Sequence, residues 1–184
     1  TRRAVNVFLG LDRKLAYSRH YPAINWLTSY SNYVDTMRPF YQEKTGEDII
    51  AVRNELMNVL LQEDEIQSIL MLVGKDALSD EQRNILDVSE LIRVGFLQQN
   101  AYNDTDKYVP LEKQIKMLNT IRNYYHRSAE AIKNGVPYNK LYDPELINDI
   151  TQMKYNIKND ELDKFTVLNS KLESHFLGLK GGEY

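Results

Sequence analysis

An all-α protein is the fold class this sequence predicts: a helical bundle with a long helix–turn–helix hairpin, preceded by a short N-terminal β-strand remnant. Three observations predict it. Apolar residues recur at steps of three and four through most of the chain after residue 48, the spacing that lines one face of an α-helix. Helix-start and helix-stop residues bracket those runs. Only 8 Gly and 5 Pro in 184 residues leave little material for glycine-rich loops or a many-turned β fold.

Taken in order, Ala4-Val5-Asn6-Val7-Phe8 alternates apolar and polar residues as a short strand does. One strand cannot pair with itself, so its partner must lie elsewhere. Asp12 is placed to cap a short helix carrying Leu15 and Ala16. Residues 17–41 are dense in aromatics, include His20-Tyr21-Pro22 and Asn25-Trp26-Leu27, and have mixed periodicity, which predicts an irregular segment with helical pieces. Thr45-Gly46-Glu47-Asp48 then supplies a cap and first-turn acids. Ile49, Val52, Leu56, Val59, Leu60, Ile66, Ile69, Leu70 and Val73 form a helical stripe, interrupted at Glu63. Gly74 is a stop in the left-handed region that glycine takes at little cost. Ser79-Asp80-Glu81-Gln82 is a capping box opening a second helix with Ile85, Val88, Leu91, Ile92 and Phe96. The short connection, residues 74–79, predicts an antiparallel hairpin.

After a polar loop at 100–108, Pro110 precedes a helix with the stripe Leu111, Ile115, Leu118, Ile121, Tyr125, Ala129 and Ile132, closed by Gly135 and Pro137. Asp143-Pro144-Glu145 combines an N-cap with an N1 proline ahead of Leu146, Ile150, Met153 and Ile157. Asp160 is the expected cap of a last helix with Leu162, Phe165, Leu168, Leu172 and Phe176, ending at Gly178. The tail from Lys180 to Tyr184 is expected to be disordered.

Composition excludes several functions. The 23 Lys+Arg against 26 Asp+Glu give a net charge of −3, without the basic excess of a general nucleic-acid binder. Zero cysteines exclude disulfides, thiolate catalysis and Cys-ligated metals. No apolar run approaches the roughly 20 residues of a membrane-spanning helix, and no signal peptide is evident. Neither G-x-x-x-x-G-K-[ST] nor G-x-G-x-x-G occurs, so these residues carry no phosphate loop. His20, His126 and His175 lie far apart and read as satisfied or exposed histidines rather than as metal ligands. Glu63-Asp64-Glu65 point in different directions on a helix and read as a solvated face. No nucleophile with an adjacent base is present.

Two features invite more than a structural role. The connector Lys75-Asp76-Ala77-Leu78-Ser79-Asp80-Glu81 is an acid-bearing tip between two long helices, either a plain capped turn or a lever. Phe96-Leu97-Gln98-Gln99-Asn100-Ala101-Tyr102 leaves its helix with amides beside aromatics, either an ordinary exit or a holder for a flat heterocycle.

Five collinear segments together resemble the C-terminal part of the catalytic A subunit of V/A-type rotary ATPases: Phe8-Leu9-Gly10-Leu11-Asp12, His20 to Leu27, Leu72 to Ser79, Phe96 to Tyr102, and Pro110-Leu111-Glu112-Lys113-Gln114. The likeness runs from about residue 5 to 135. It departs where Leu9 replaces a usual Trp, Ser18 a usual basic residue, and Tyr102 a frequent Phe. The resemblance implies a parent protein that hydrolyses or makes ATP with Mg2+, coupled through a rotating central stalk to H+ or Na+ transport. Its phosphate-binding lysine, metal-binding carboxylate and general-base glutamate would lie upstream of Thr1. The start at Thr1 instead of Met accordingly reads as a cut within a longer protein. Phe96, Gln99, Asn100, Ala101 and Tyr102 are implied to border the adenine, and Lys75, Asp76, Ala77, Leu78, Ser79, Asp80 and Glu81 to contact the stalk.

On this expectation residues 1–44 are the junction with the nucleotide-binding domain, 45–135 the helical domain, and 136–184 a C-terminal helical pair and tail. The last segment could complete the bundle or meet a neighbouring subunit. The implied partners are the central stalk and the non-catalytic B subunit, on the cytoplasmic side of a membrane. ATP or ADP would bind the parent complex and not this chain alone. The competing reading is a free-standing helical interaction module whose acidic hairpin docks a basic partner.

Overall fold

In the computed structural model, which describes residues 5–74 and 77–180, the N-terminal segment folds as β1 (Val7–Leu11), α1 (Arg13–Tyr17) and β2 (Ile24–Ser31). The expected strand has its partner in the aromatic segment that periodicity alone marks as irregular. The two strands are antiparallel, pairing Val7 with Ser31 and Phe8 with Tyr30, then Gly10 with Asn25 and Leu11 with Ile24. Between these pairs β2 bulges. Asn25 Oδ1 accepts from the backbone N–H groups of Leu27 and Thr28, and Ser29 Oγ accepts from Gly10 N at 3.0 Å. The bulge explains why no strand periodicity is legible over 24–31, because the extra residues break the alternation. It also requires Gly10: a Cβ there would meet Thr28 Oγ1 at 2.6 Å. Asp12 caps α1 as expected, accepting from Lys14 N and Leu15 N, and its second oxygen accepts from Asn25 Nδ2 at 2.9 Å.

The remainder is helical: α2 (Arg38–Thr45), α3 (Ile49–Val73), α4 (Asp80–Ile92), α5 (Leu111–Lys133), α6 (Tyr138–Leu141), α7 (Pro144–Asn156) and α8 (Lys164–Lys180). A π-helical turn, Arg93–Leu97, continues α4. Helix α5 is the hub and packs against α2, α3, α4, α6, α7 and α8. Its buried face begins on the expected stripe with Ile115, Leu118 and Ile121, then runs through Tyr124, Ser128 and Ala131, one position before Tyr125, Ala129 and Ile132. A helix turns 3.6 residues per cycle, so a face fixed by neighbours on several sides need not follow the most apolar residues. Helices α7 and α8 pack against α5 and against each other, so residues 144–180 complete the bundle.

Most helix boundaries follow the expected stop and start residues. Of the cap and first-turn acids expected at 45–48, Thr45 instead ends α2 and Asp48 is the cap, accepting from Ala51 N at 3.1 Å, so the first turn of α3 carries no acid. Gly46, Gly74 and Gly135 take the positive φ that other residues avoid. Asp160 is not the residue before α8, which starts at Lys164 after a series of turns and continues past Gly178 to Lys180. Residues 181–184, Ala4 of the expected strand, and Lys75 and Asp76 of the tip lie outside the described residues.

Candidate functional site

Both candidate segments are connections between helices, and each is held by a different kind of bond. At the hairpin tip the expected capping box is formed. Ser79 Oγ accepts from Gln82 N at 3.3 Å, and Gln82 Oε1 accepts from Ser79 N at 3.0 Å. Hydrogen bonding to Ser79 holds the Glu81 carboxyl below its usual range, so Glu81 stays charged. Ala77, Ser79 and Glu81 are exposed. Leu78 turns into the core, and Asp80 Oδ2 accepts from the backbone N–H of Tyr138 at 3.2 Å, which ties the tip to α6. Ile69 belongs to the expected core stripe but faces solvent, and beside it Met71 and Leu72 are 80% and 85% exposed. The last turns of α3 therefore carry an apolar, exposed surface next to the tip.

Glu63 is a correction. It is buried and ion-paired with Arg93, and Gln67 Nε2 donates to it at 3.3 Å. Arg93 also pairs with Glu90 at 2.5 Å. Glu63 lies at stripe spacing between Leu60 and Ile66, so it continues the buried face of α3, and the opposite charge at the end of α4 makes that burial tolerable.

The second segment leaves the π-helical turn at Gln98, whose backbone is extended. Gln99 N donates to Tyr21 O at 2.6 Å, beside the cis Tyr21–Pro22 bond, and Asn100 N donates to Asp106 Oδ2 at 2.6 Å. Asn100 Oδ1 accepts from Tyr102 N, and Asn103 Oδ1 accepts from Thr105 N and Asp106 N, so successive Asx turns shape the loop. Gln99, Asn100, Ala101 and Tyr102 all reach the surface, with Tyr102 99% exposed. Phe96 stays half-buried and shares with Gln99 and Asp106 the lining of a cavity of about 230 Å3. Tyr102 lies outside that lining.

Beneath the loop are three charged residues that no sequence pattern marks for a functional role. Lys154 Nζ donates to Val94 O at 2.6 Å and to Gln98 O at 2.5 Å, binding the last carbonyls before the loop. Lys113 Nζ donates to Lys154 O, Ile157 O and Asn159 Oδ1, which closes the C-terminal end of α7. Asn159 in turn donates to Tyr108 O at 2.8 Å, at the far foot of the loop. Burial pushes both ammoniums below the usual lysine range, and the Asp106 carboxylate opposes that shift in each. One signal for their burial is spacing: Lys154 falls at helical intervals between Ile150 and Ile157, and Lys113 four residues before buried Met117.

Of the histidines, His126 pairs with Glu55 and His175 Nε2 lies 3.1 Å from Leu141 O. His20 is buried against Trp26 with Nδ1 3.2 Å from Pro22 O, and its Nε2 has no hydrogen-bond partner, so the expectation of satisfied histidines holds for two of the three. Among the described residues no three His, Asp or Glu side chains gather as a metal site, and no helix is long and apolar enough to cross a membrane.

A helical domain with a long helical hairpin, a two-stranded N-terminal ribbon and an exposed amide–aromatic loop agrees with one protein class. Residues 38–142 match the family described as the C-terminal domain of V and A type ATP synthase, and the chain belongs to that family. Its relatives are A or alpha subunits. It is 49% identical to the V-type ATP synthase alpha chain 2 of Clostridium tetani over 96% of the chain, and 43% identical to the V-type ATP synthase alpha chain of Halothermothrix orenii over 96%. The chain spans about 30% of the length of these relatives. A solved structure of an ATP synthase component, NeqB from Nanoarcheaum equitans, shares the fold over 67% of this chain and 29% of its own, with a TM-score of 0.55 and 22% identity.

Proposed function

We propose that this chain is the C-terminal helical domain of the catalytic A subunit of a V/A-type ATP synthase or ATPase. In that role it forms one side of the adenine pocket and passes nucleotide-driven motion to the central stalk. The observation that carries the adenine assignment is the loop at 99–102, where side-chain amides and a fully exposed tyrosine stand on a backbone fixed at both feet. Adenine needs little more from a protein than an aromatic face and a few polar edges, because most nucleotide affinity comes from the phosphates.

Among the described residues no Mg2+ site is gathered, and the sequence holds no phosphate loop. Those contacts belong to the rest of the parent protein, and the isolated chain is expected to fold without hydrolysing ATP. Residues 1–44 join the nucleotide-binding domain, residues 45–135 carry loop and hairpin, and the helices within residues 136–180 brace them. The parent complex couples ATP turnover to H+ or Na+ movement from the cytoplasmic face, with the stalk and the B subunit as partners.

In the assembled complex, Tyr102→Ala should raise the KM for ATP about tenfold while changing kcat less, since base stacking is worth about 1–3 kcal/mol. An unchanged KM would take Tyr102 out of the pocket. At the tip, Leu78 and Asp80 are tied into the domain, so deleting residues 76–80 would damage the fold as well as the contact. Met71→Ser with Leu72→Ser is the cleaner probe, because both side chains are already exposed. It should leave ATP hydrolysis largely intact and lower ion pumping per ATP; full coupling would remove this surface from the stalk contact.

A further inference from the structure

Lys154, Lys113 and Asp106 form a buried charge cluster for which stability gives no sufficient reason. Two lysines and one aspartate, all nearly or fully buried, are costly to desolvate, and apolar residues of similar size often stabilise a core as well or better. What such groups supply is direction. Each ammonium donates to backbone carbonyls at a helix end, where the aligned peptide dipoles leave partial negative charge.

The geometry is specific to the loop. Lys154 Nζ holds Val94 O and Gln98 O together, which fixes where the chain leaves the π-helical turn. Just after Gln98, Asn100 N donates to Asp106 Oδ2 at 2.6 Å and closes the loop on itself. Lys113 bonds the carbonyl of Lys154 itself at 2.9 Å, so the cluster is continuous from α5 through α7 to the loop. Lys154 Nζ also lies 5.0 Å from the centre of the Tyr155 ring.

We propose that Lys154 and Asp106 are positioning residues for nucleotide recognition: from below, they set the place and orientation of the surface formed by Gln99, Asn100, Ala101 and Tyr102. The inference rests on the adenine-side reading of that loop. Hydrogen bonds and ring contacts to a ligand weaken steeply when the groups that make them are displaced or tilted, so a loop moved on its mount binds less well. The C-terminal helical pair thus acts on the nucleotide without touching it.

The test uses the intact rotary complex carrying the full-length protein, with steady-state ATP hydrolysis as the readout and Tyr102→Ala as reference. Lys154→Met keeps the length of the stem and removes the ammonium; Asp106→Ala removes the acceptor of Asn100 N. Each is expected to raise the KM for ATP on the order of tenfold with kcat within about threefold. Amide hydrogen exchange should accelerate at residues 98–103 while residues 115–124 of α5 stay protected. A purely structural role would lower the melting temperature or the assembled fraction and leave KM unchanged in the assembled enzyme. That result, with Tyr102→Ala raising KM, overturns the positioning role and leaves the adenine reading standing. If Tyr102→Ala, Lys154→Met and Asp106→Ala all leave KM unchanged, both fail. A KM raised by Lys154→Met with Tyr102→Ala silent supports positioning and removes Tyr102 from the contact. Should Lys154→Met fail to assemble, Asp106→Ala decides by the same criterion.

Discussion

The hairpin tip and the loop at 98–108 are both turns between helices, yet they are stabilised over very different distances along the chain. The tip is held chiefly by its neighbours: Gly74 at positive φ, and the reciprocal Ser79–Gln82 bonds three residues apart. Asp80 adds one long-range bond, to Tyr138. The loop has Asx turns of its own, but its feet are bound from 50 to 60 residues away, by Lys154 and Asn159. A locally determined turn keeps its shape when the domain around it shifts. A turn mounted on a distant helix moves with that helix. This contrast is what the two proposed roles would need, a tip that transmits force and a loop whose placement matters for binding.

The contrast can be broken at its strongest point first. Lys113→Met removes the ammonium from Lys154 O, Ile157 O and Asn159 Oδ1 and leaves these buried acceptors unpaired. The expected loss is about 3–5 kcal/mol of unfolding free energy, the range for breaking a buried charged network, checked by urea denaturation of the chain. A loss below about 1 kcal/mol would mean that the acceptors find water and that the loop's foundation is softer than its bonds suggest. Ser79→Ala should cost about 1 kcal/mol, as loss of an N-cap does, and should leave the exchange of loop amides unaffected. Any change at residues 98–103 in that variant would show that tip and loop are not independent. The smallest effect is expected for Tyr102→Ala, within about 0.5 kcal/mol, since the side chain is fully exposed. Its consequence should be confined to nucleotide affinity.

Much of this organisation is legible in the residues. The capping box, the glycine stops at 74 and 135, Asp12 as a cap, and the Asp143-Pro144 start all act within a few positions, so their pattern and their geometry coincide. The exit segment from Phe96 to Tyr102 stands out for the same reason: its residue types are unusual for a helix end. Strand β2 is hidden, because its bulge breaks the two-residue alternation. The burial of Glu63 is masked by its charged neighbours Asp64 and Glu65, which suggest a solvated face, although its place on the stripe points inward. Phe96 and Tyr102, close together in one motif, part company in space, one facing a cavity and the other solvent.

The sequence alone determined the all-helical class, the long hairpin and the family, since helix periodicity, caps and collinear motifs are carried by residues close in the chain. Only the tertiary structure decided which charges are buried, which end of α3 is bare, and that residues 144–180 complete the bundle and reach the underside of the loop. The physical reason lies in the ammoniums of Lys113 and Lys154. A lysine at a stripe position can reach out to water or inward to a carbonyl, and the choice depends on whether another helix ends within its reach.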